Sequence, residues 1–357
     1  MPQPRITMKD VAQKAGVHTT TVSLVLRNSA RIPLATRRRI QAIAKEMGYQ
    51  QDPMLSALVS YRNQRLTPKA PPTVAMIFDF KDQLELDRAS VPYRKFLEGA
   101  TRKAEELGYR VEPFFFSGRV RSAEGRRIGR ILFSRGIKGV ILCAFGSETK
   151  SFEIEWDKFS VVQIECEHLK LPLHMVSADQ MMMAREAVRR LWAQGYRRIG
   201  IAVGRAEETY LDHAFTVGFH GEAALHPGLE LAPPLLLTNG ATTEECAPLL
   251  REWIQRFGIE AVLSNWGNIP DALGLVAADI PPSTVSVELE LESKPHRGSF
   301  GGTMPRDVVV GERAVEQLAM LLRLNQTGWV DTPNRILIPG TWIEGKRFGS
   351  AALGSRS

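Results

Sequence analysis

The 357 residues, 44% hydrophobic and 24% charged, are enough for two or three packed domains. They contain no apolar run of about 18 residues that would span a bilayer, and the start of the chain lacks the apolar core of a signal peptide, so neither membrane insertion nor export is expected. Three cysteines (Cys143, Cys166, Cys246), odd in number and far apart, exclude a disulfide framework and suit a reducing cytoplasm. The net charge of +7 is unevenly placed: residues 1–69 hold twelve Lys/Arg against three Asp/Glu, the remainder 34 against 36. A basic module on a near-neutral body is the electrostatic footprint of nucleic-acid binding.

The first predicted element is a helix opened by Thr7, whose side chain is suited to capping, with Asp10 three residues on in position for the reciprocal bond. Val11, Ala12 and Ala15 recur at helical spacing, and Gly16 supplies the break. A second apolar stripe follows at Val22, Val25 and Leu26, leaving Thr19, Thr20, Ser23, Leu24 and Arg27 off it. On pattern alone this is either an ordinary helical hairpin or a helix-turn-helix whose second member enters the major groove. A third helix is expected from Leu34 to Met47, with Pro33 at its first turn, a buried stripe of Ile40, Ile43, Ala44 and Met47, and Gly48 at its end. The run Arg37-Arg38-Arg39 is a solvated helix face or a set of phosphate contacts.

Residues 6–61 resemble the DNA-binding head of the lactose-repressor (LacI/GalR) family of bacterial transcription regulators. The matches include Lys9-Asp10-Val11-Ala12, Ala15-Gly16-Val17, Thr21-Val22-Ser23, Thr36-Arg37, Gly48-Tyr49 and the segment from Asp52 to Val59. The resemblance implies a hinge helix that orders on operator DNA and enters the minor groove, with Leu58 as the apolar wedge and Ala57 and Met54 beside it. Base reading is expected from Thr19, Thr20 and Leu24, with phosphate contacts from Thr7, His18, Thr21, Ser23, Arg27, Arg37 and Arg38. His18 stands where the family has a serine cap, which is expected to weaken the helix start or add a phosphate contact.

After a polar, proline-rich linker at 62–72 the texture changes to alternating apolar runs and amphipathic helices. Runs at Val74–Phe80, Val111–Phe116, Gly139–Phe145 and Val161–Ile164 make a first series; Ile199–Val203, Leu235–Leu237, Ala261–Ser264 and Val285–Leu289 make a second. Repeated βα units imply parallel sheets covered by helices, and two series joined near Ser177–Gln180 imply two lobes with a ligand cleft at the strands' carboxyl ends. The family resemblance implies the same α/β body, a periplasmic-binding-protein-like core of doubly wound parallel sheets. The division expected is a helix-turn-helix head at 1–49, a hinge helix and linker at 50–72, a core at 73–345 and a flexible tail at 346–357. Within the core, one lobe is expected at 73–177 plus 296–323 and the other at 178–292 plus 329–345, with later crossings near Ser293–Pro295 and Leu324–Gly328.

For an effector, family members that bind sugars clamp hydroxyls with an arginine three residues before a Gly-aromatic pair, and that position here is Phe215. The remaining pocket candidates are Tyr93, Asp212, Asn265, Trp266 and Glu290, for an unusual sugar or related metabolite, something less polar, or no effector at all. Cys166, His168 and His174 lack paired metal-ligand spacing, Gly298–Gly302 reads as a turn rather than a phosphate loop, and no catalytic Ser/His/Asp or Cys/His set stands out. No cofactor or metal is expected, and an enzyme or solute-binding protein on the same core is the lesser reading, as is a sequence-nonspecific architectural DNA protein. The expected protein is a cytoplasmic, nucleoid-associated regulator, read as a repressor, binding double-stranded pseudo-palindromic operator DNA as a homodimer under a small-molecule effector.

Overall fold

Three short helices form the head of the computed structural model, which describes residues 6–26, 32–49, 71–88, 91–115, 123–143, 145–146, 149, 151–296 and 299–345. They are α1 (Met8–Ala15), α2 (Thr19–Leu26) and α3 (Leu34–Glu46). Thr7 and Asp10 close the expected box: the Asp10 carboxylate accepts the Thr7 N–H at 2.7 Å, and the Thr7 hydroxyl accepts the Asp10 N–H at 3.4 Å. Gly16 turns the chain at φ 65°, a left-handed conformation that other residues resist, so that α2 can cross α1. Val11, Ala12, Ala15, Val22, Val25, Ile40 and Ala44 are all buried in one small core, the stripes read from the sequence meeting one another.

The body follows with β1 (Thr73–Phe78), α4 (Gln83–Arg88), α5 (Val91–Glu106), β2 (Arg110–Phe115), α6 (Ala123–Ser134), β3 (Gly139–Cys143), β4 (Ser160–Ile164) and β5 (His174–Ala178). Next come α7 (Gln180–Ala193), β6 (Arg198–Gly204), α8 (Arg205–Tyr210), α9 (Ala214–Ala223), β7 (Glu230–Leu231), β8 (Leu235–Leu237), α10 (Thr243–Phe257), β9 (Ala261–Ser264) and α11 (Ile269–Leu275). The chain ends with β10 (Val285–Glu288), β11 (Gly301–Met304), α12 (Asp307–Leu324), β12 (Arg335–Ile338) and β13 (Thr341–Glu344). The first sheet runs β12-β5-β4-β3-β1-β2 and the second β13-β11-β10-β9-β6-β7, with β8 also paired to β6. All pairs are parallel except β11 with β13. Central strands such as β3 and β4 are buried along their whole length because helices cover both faces.

Strand membership fixes where the chain passes between sheets. The first passage follows β5, where the second series was expected to begin. The second lies at Pro305-Arg306 rather than near 293–295, because Gly301-Gly302, read as a turn, begins strand β11 of the second sheet. A side chain at Gly302 would overlap the Glu288 carbonyl oxygen, so the glycine pair allows close strand approach rather than a bend. The third lies at Pro339-Gly340 rather than at 324–328, since β12 pairs with β5 in the first sheet while β13 pairs with β11 in the second. The α12 helix, between the second and third passages, packs on α5 and on the first sheet.

Candidate functional site: a basic head and an acidic cleft

The outward face of α2 is short and uncharged. Thr20 is exposed, and Thr19, Thr21, Ser23 and Leu24 are half-buried beside the buried Val22 and Val25. His18 stands at the start of this helix. Its Nδ1 lies 2.9 Å from the Thr20 hydroxyl and accepts the Thr20 N–H at 3.4 Å, so the imidazole does the work of the missing serine cap. Thr7 is committed to the capping box of α1. The three consecutive arginines divide their tasks. Arg39 donates to the Ala15 carbonyl at 3.1 Å and ties α3 to the end of α1; Arg37 is half-buried and donates to the Ile32 carbonyl at 3.3 Å. Arg38 is exposed and has no hydrogen bond or ion pair among the described residues. Arg27, Met54, Ala57 and Leu58 lie outside the described residues.

Between the two lobes lies a cavity of about 450 Å³, lined from both sheets. Glu165 sits one residue beyond β4, Asn265 and Trp266 just beyond β9, and Glu290 two residues beyond the end of β10, all at strand carboxyl ends. Helix α5 adds Tyr93 and Lys95, α8 adds Glu207 and Tyr210, and α12 adds Asp307. Asn265 accepts the Gly204 N–H at 3.3 Å, which fixes it across the β6 end. Glu165, 7% exposed and held at a left-handed φ of 50°, accepts from the Gln180 amide at 3.0 Å and the Ala178 N–H at 3.4 Å.

Burial dominates the electrostatics here. It pushes the Glu165 carboxyl up to about 8, with help from Glu167 and Asp307, and the Asp307 carboxyl up to about 6, partly opposed by Lys95. Glu290 is driven well above the carboxylate range by burial and by its acidic neighbours Glu165, Asp307 and Glu207. Burial likewise raises Tyr93 and Tyr210, so both present protonated hydroxyls. A carboxyl whose folded pKa is raised contributes stability below its unfolded value of 4.5 and loses it as pH climbs through about 8. Glu165→Gln keeps an acceptor for both donors and removes that loss. We expect the variant to melt together with the parent at pH 5 and roughly 5 °C above it at pH 8.5. Scanning fluorimetry across that range checks this; parallel curves for the two chains would refute it.

Two pocket candidates lie elsewhere. Phe215 is fully buried in the second lobe, where α9 presents Phe215 and Phe219 one turn apart to the sheet, so no arginine-like clamp projects from that position. Asp212 is half-exposed at φ 54° and pairs with Lys170 at 2.8 Å, outside the cavity lining. Glu165, Glu207, Tyr210, Lys95 and Asp307 were not anticipated. The readable signal for Glu165 was an acidic residue at a predicted strand's carboxyl end, the position that also marks Glu290. The Cys166 thiol donates to the Ile164 carbonyl at 3.2 Å, His168 is 3.1 Å from the Thr149 carbonyl, and His174 accepts the Asn334 N–H at 2.9 Å. Each of the three thus has its own structural partner.

A three-helix head joined to two doubly wound lobes that enclose a cavity defines a helix-turn-helix protein with a periplasmic-binding-protein-like body. Residues 7–52 match the family described as bacterial regulatory proteins, lacI family. The chain is similar to the HTH-type transcriptional repressor CytR of Escherichia coli (strain K12), 29% identical over 241 residues, which cover 67% of this chain and 64% of that protein. The matched spans amount to 57% and 64% of the length of two such curated relatives. In fold it is similar to the transcriptional regulator CelR in complex with cellobiose (TM-score 0.58, 20% identity, 95% of this chain and 98% of that one). It is also similar to the lac repressor dimer bound to operator and the anti-inducer ONPF (TM-score 0.56, 16% identity, 95% and 98%). No described helix is long and apolar enough to cross a membrane.

Proposed function

We propose that the chain is a sequence-specific DNA-binding transcription regulator, a repressor, that binds a pseudo-palindromic operator as a homodimer and is controlled by a small molecule in the interlobe cleft. The observation that carries this is the head itself: residues of a DNA-binding family realised as α1–α3, with the small polar face of α2 outward on a strongly basic segment. The named relatives are transcriptional regulators, which supports a non-enzymatic role, and a cytoplasmic, nucleoid-associated location follows from the DNA partner. Thr19, Thr20 and Leu24 are the proposed base readers, the threonines through hydroxyls and methyls and Leu24 through thymine methyls. Thr21, Ser23, Arg37 and Arg38 are proposed for phosphate, together with Thr7 and His18 where their backbone groups and free ring edge remain available. Arg27 is proposed for phosphate as well, and Leu58, Ala57 and Met54 for the minor groove.

Selection from a palindromic duplex library by gel shift, with the full chain and with residues 1–60 removed, tests the reading. One enriched motif that vanishes on truncation supports it, and binding without sequence preference sinks it in favour of an architectural protein. Thr20→Ala is expected to change the preferred motif while sparing random-DNA affinity. Arg38→Ala is expected to weaken specific and random duplexes alike and to flatten the salt dependence by about one phosphate. Equal losses on both duplexes from both variants would contradict this division.

A further inference from the structure

We infer that the interlobe cleft selects a ligand bearing an amine cation, such as an amino sugar or polyamine, rather than a neutral sugar. The inference rests on the cleft being the effector site and adds the charge of its occupant. Glu165, Glu207, Glu290 and Asp307 line one cavity of about 450 Å³ in which Lys95 is the lone cationic side chain among the described lining residues. Lys95 stands 3.8 Å from Asp307 and has no other ion pair; Glu165, Glu207 and Glu290 have no cationic partner among the described residues.

The acids are also short of hydrogen bonds. Asp307, 4% exposed, has Lys95 at 3.8 Å as its one side-chain partner among the described residues. The buried Oε2 of Glu207 has no hydrogen-bond partner among the described residues, and both bonds from them to the Glu165 carboxyl go to the same oxygen, Oε1. Unsatisfied buried acceptors are costly; besides Lys95 and the tyrosine hydroxyls the lining donors are the Trp266 indole and two amides, of which Asn265 is bonded to Glu290 and Asn268 to the Ala241 carbonyl. An ammonium group brings up to three donors to these acceptors together with a charge that the carboxyls can take up by giving up their protons, whereas a neutral polyol brings hydroxyls alone. The rings of Tyr93, Tyr210 and Trp266, contributed by both lobes to the same lining, add faces on which a cation is attracted.

The test uses the full chain and four cationic probes (glucosamine, putrescine, spermidine, choline) beside two neutral ones (glucose, cellobiose), by thermal shift and calorimetry at low and high salt. At least one cationic probe is expected to raise the melting temperature by several degrees, and to lose tenfold or more in affinity on Glu290→Gln and on Glu207→Gln. Three results overturn the inference: stabilisation by the neutral probes only, cation binding unchanged by both substitutions, or no shift with any cationic probe. Gel shift on the selected duplex is run in parallel. Lost duplex preference would sink the regulator reading and leave the ligand result standing, and the converse pattern would sink only the charge assignment.

Discussion

Glu222→Gln is expected to destabilise the second lobe by about 3 kcal/mol at pH 7, and the deficit is expected to shrink as the solution is acidified. Glu222 is 3% exposed on the inner side of α9. Its carboxylate accepts from Arg185 Nε at 2.8 Å, from Arg189 Nε at 2.9 Å and Nη2 at 3.1 Å, and lies 3.1 Å from His226 Nε2, which must carry the ring proton because the carboxylate only accepts. Both arginines come from α7, so the carboxylate locks α7 to α9, and His226 is stacked on Trp192 of α7 at 4.5 Å. The Arg189 bonds lead in holding the Glu222 pKa down to about 2. A gap of that size between folded and unfolded values corresponds to roughly 3 kcal/mol, within the range for breaking a buried pair. Because the folded pKa is depressed, the contribution is fully present above 4.5 and is lost as pH falls toward 2. Denaturant melts of parent and variant at pH 7, 5 and 3.5 should therefore converge at the acid end. A constant offset would mean that the amide costs packing rather than charge.

The same helix pair shows what a sequence conveys and what it withholds. Local chemistry was legible: the Thr7–Asp10 box, the Gly16 break and the stripes of α1–α3 all follow from spacing, because each is settled within one or two turns of chain. The βα alternation was legible for the same reason. Phe215 was misread because a position inherited from a sugar clamp says nothing about which face of α9 the residue takes. The period that places Phe215 with Phe219 and Glu222 on the buried side was present in the sequence and went unused. The capping role of His18 was not anticipated because imidazole is a poor cap on average, whereas here its Nδ1 accepts the Thr20 N–H. Sheet membership of β12 rests on pairing across more than a hundred residues, as Arg335 with Met175, which no local pattern encodes. The acidic character of the cleft belongs to the same category. Its five carboxyl groups, those of Glu165, Glu207, Glu290, Glu292 and Asp307, come from four segments, and only their convergence turns ordinary surface residue types into one cluster.

Gly311→Ala is the second large effect expected. Gly99 on α5 and Gly311 on α12 meet where the two helices cross. A Cβ at Gly311 would overlap the Phe96 carbonyl oxygen, and one at Gly99 would overlap that of Val308. Both obstacles are backbone, so no rotamer change relieves them and the helices must separate. Overpacking of this kind costs roughly 3 kcal/mol, which should lower the melting temperature by about 6–10 °C. Gly221→Ala, in α9 with open space around its Cβ, serves as the contrast and is expected to stabilise by about 0.5–1 kcal/mol. The crossing also reaches the cleft, since Lys95 and Asp307 each stand one turn before these glycines and face each other at 3.8 Å. Separating α5 from α12 widens that gap and draws Tyr93 and Asp307 off the cavity wall. Gly311→Ala should therefore weaken whatever occupies the cleft at temperatures where the chain is still folded. Calorimetric titration well below the melting transition, with the probe that binds the parent, decides it: lowered stability with undiminished affinity would show that the helix crossing supports the lobe without shaping the site.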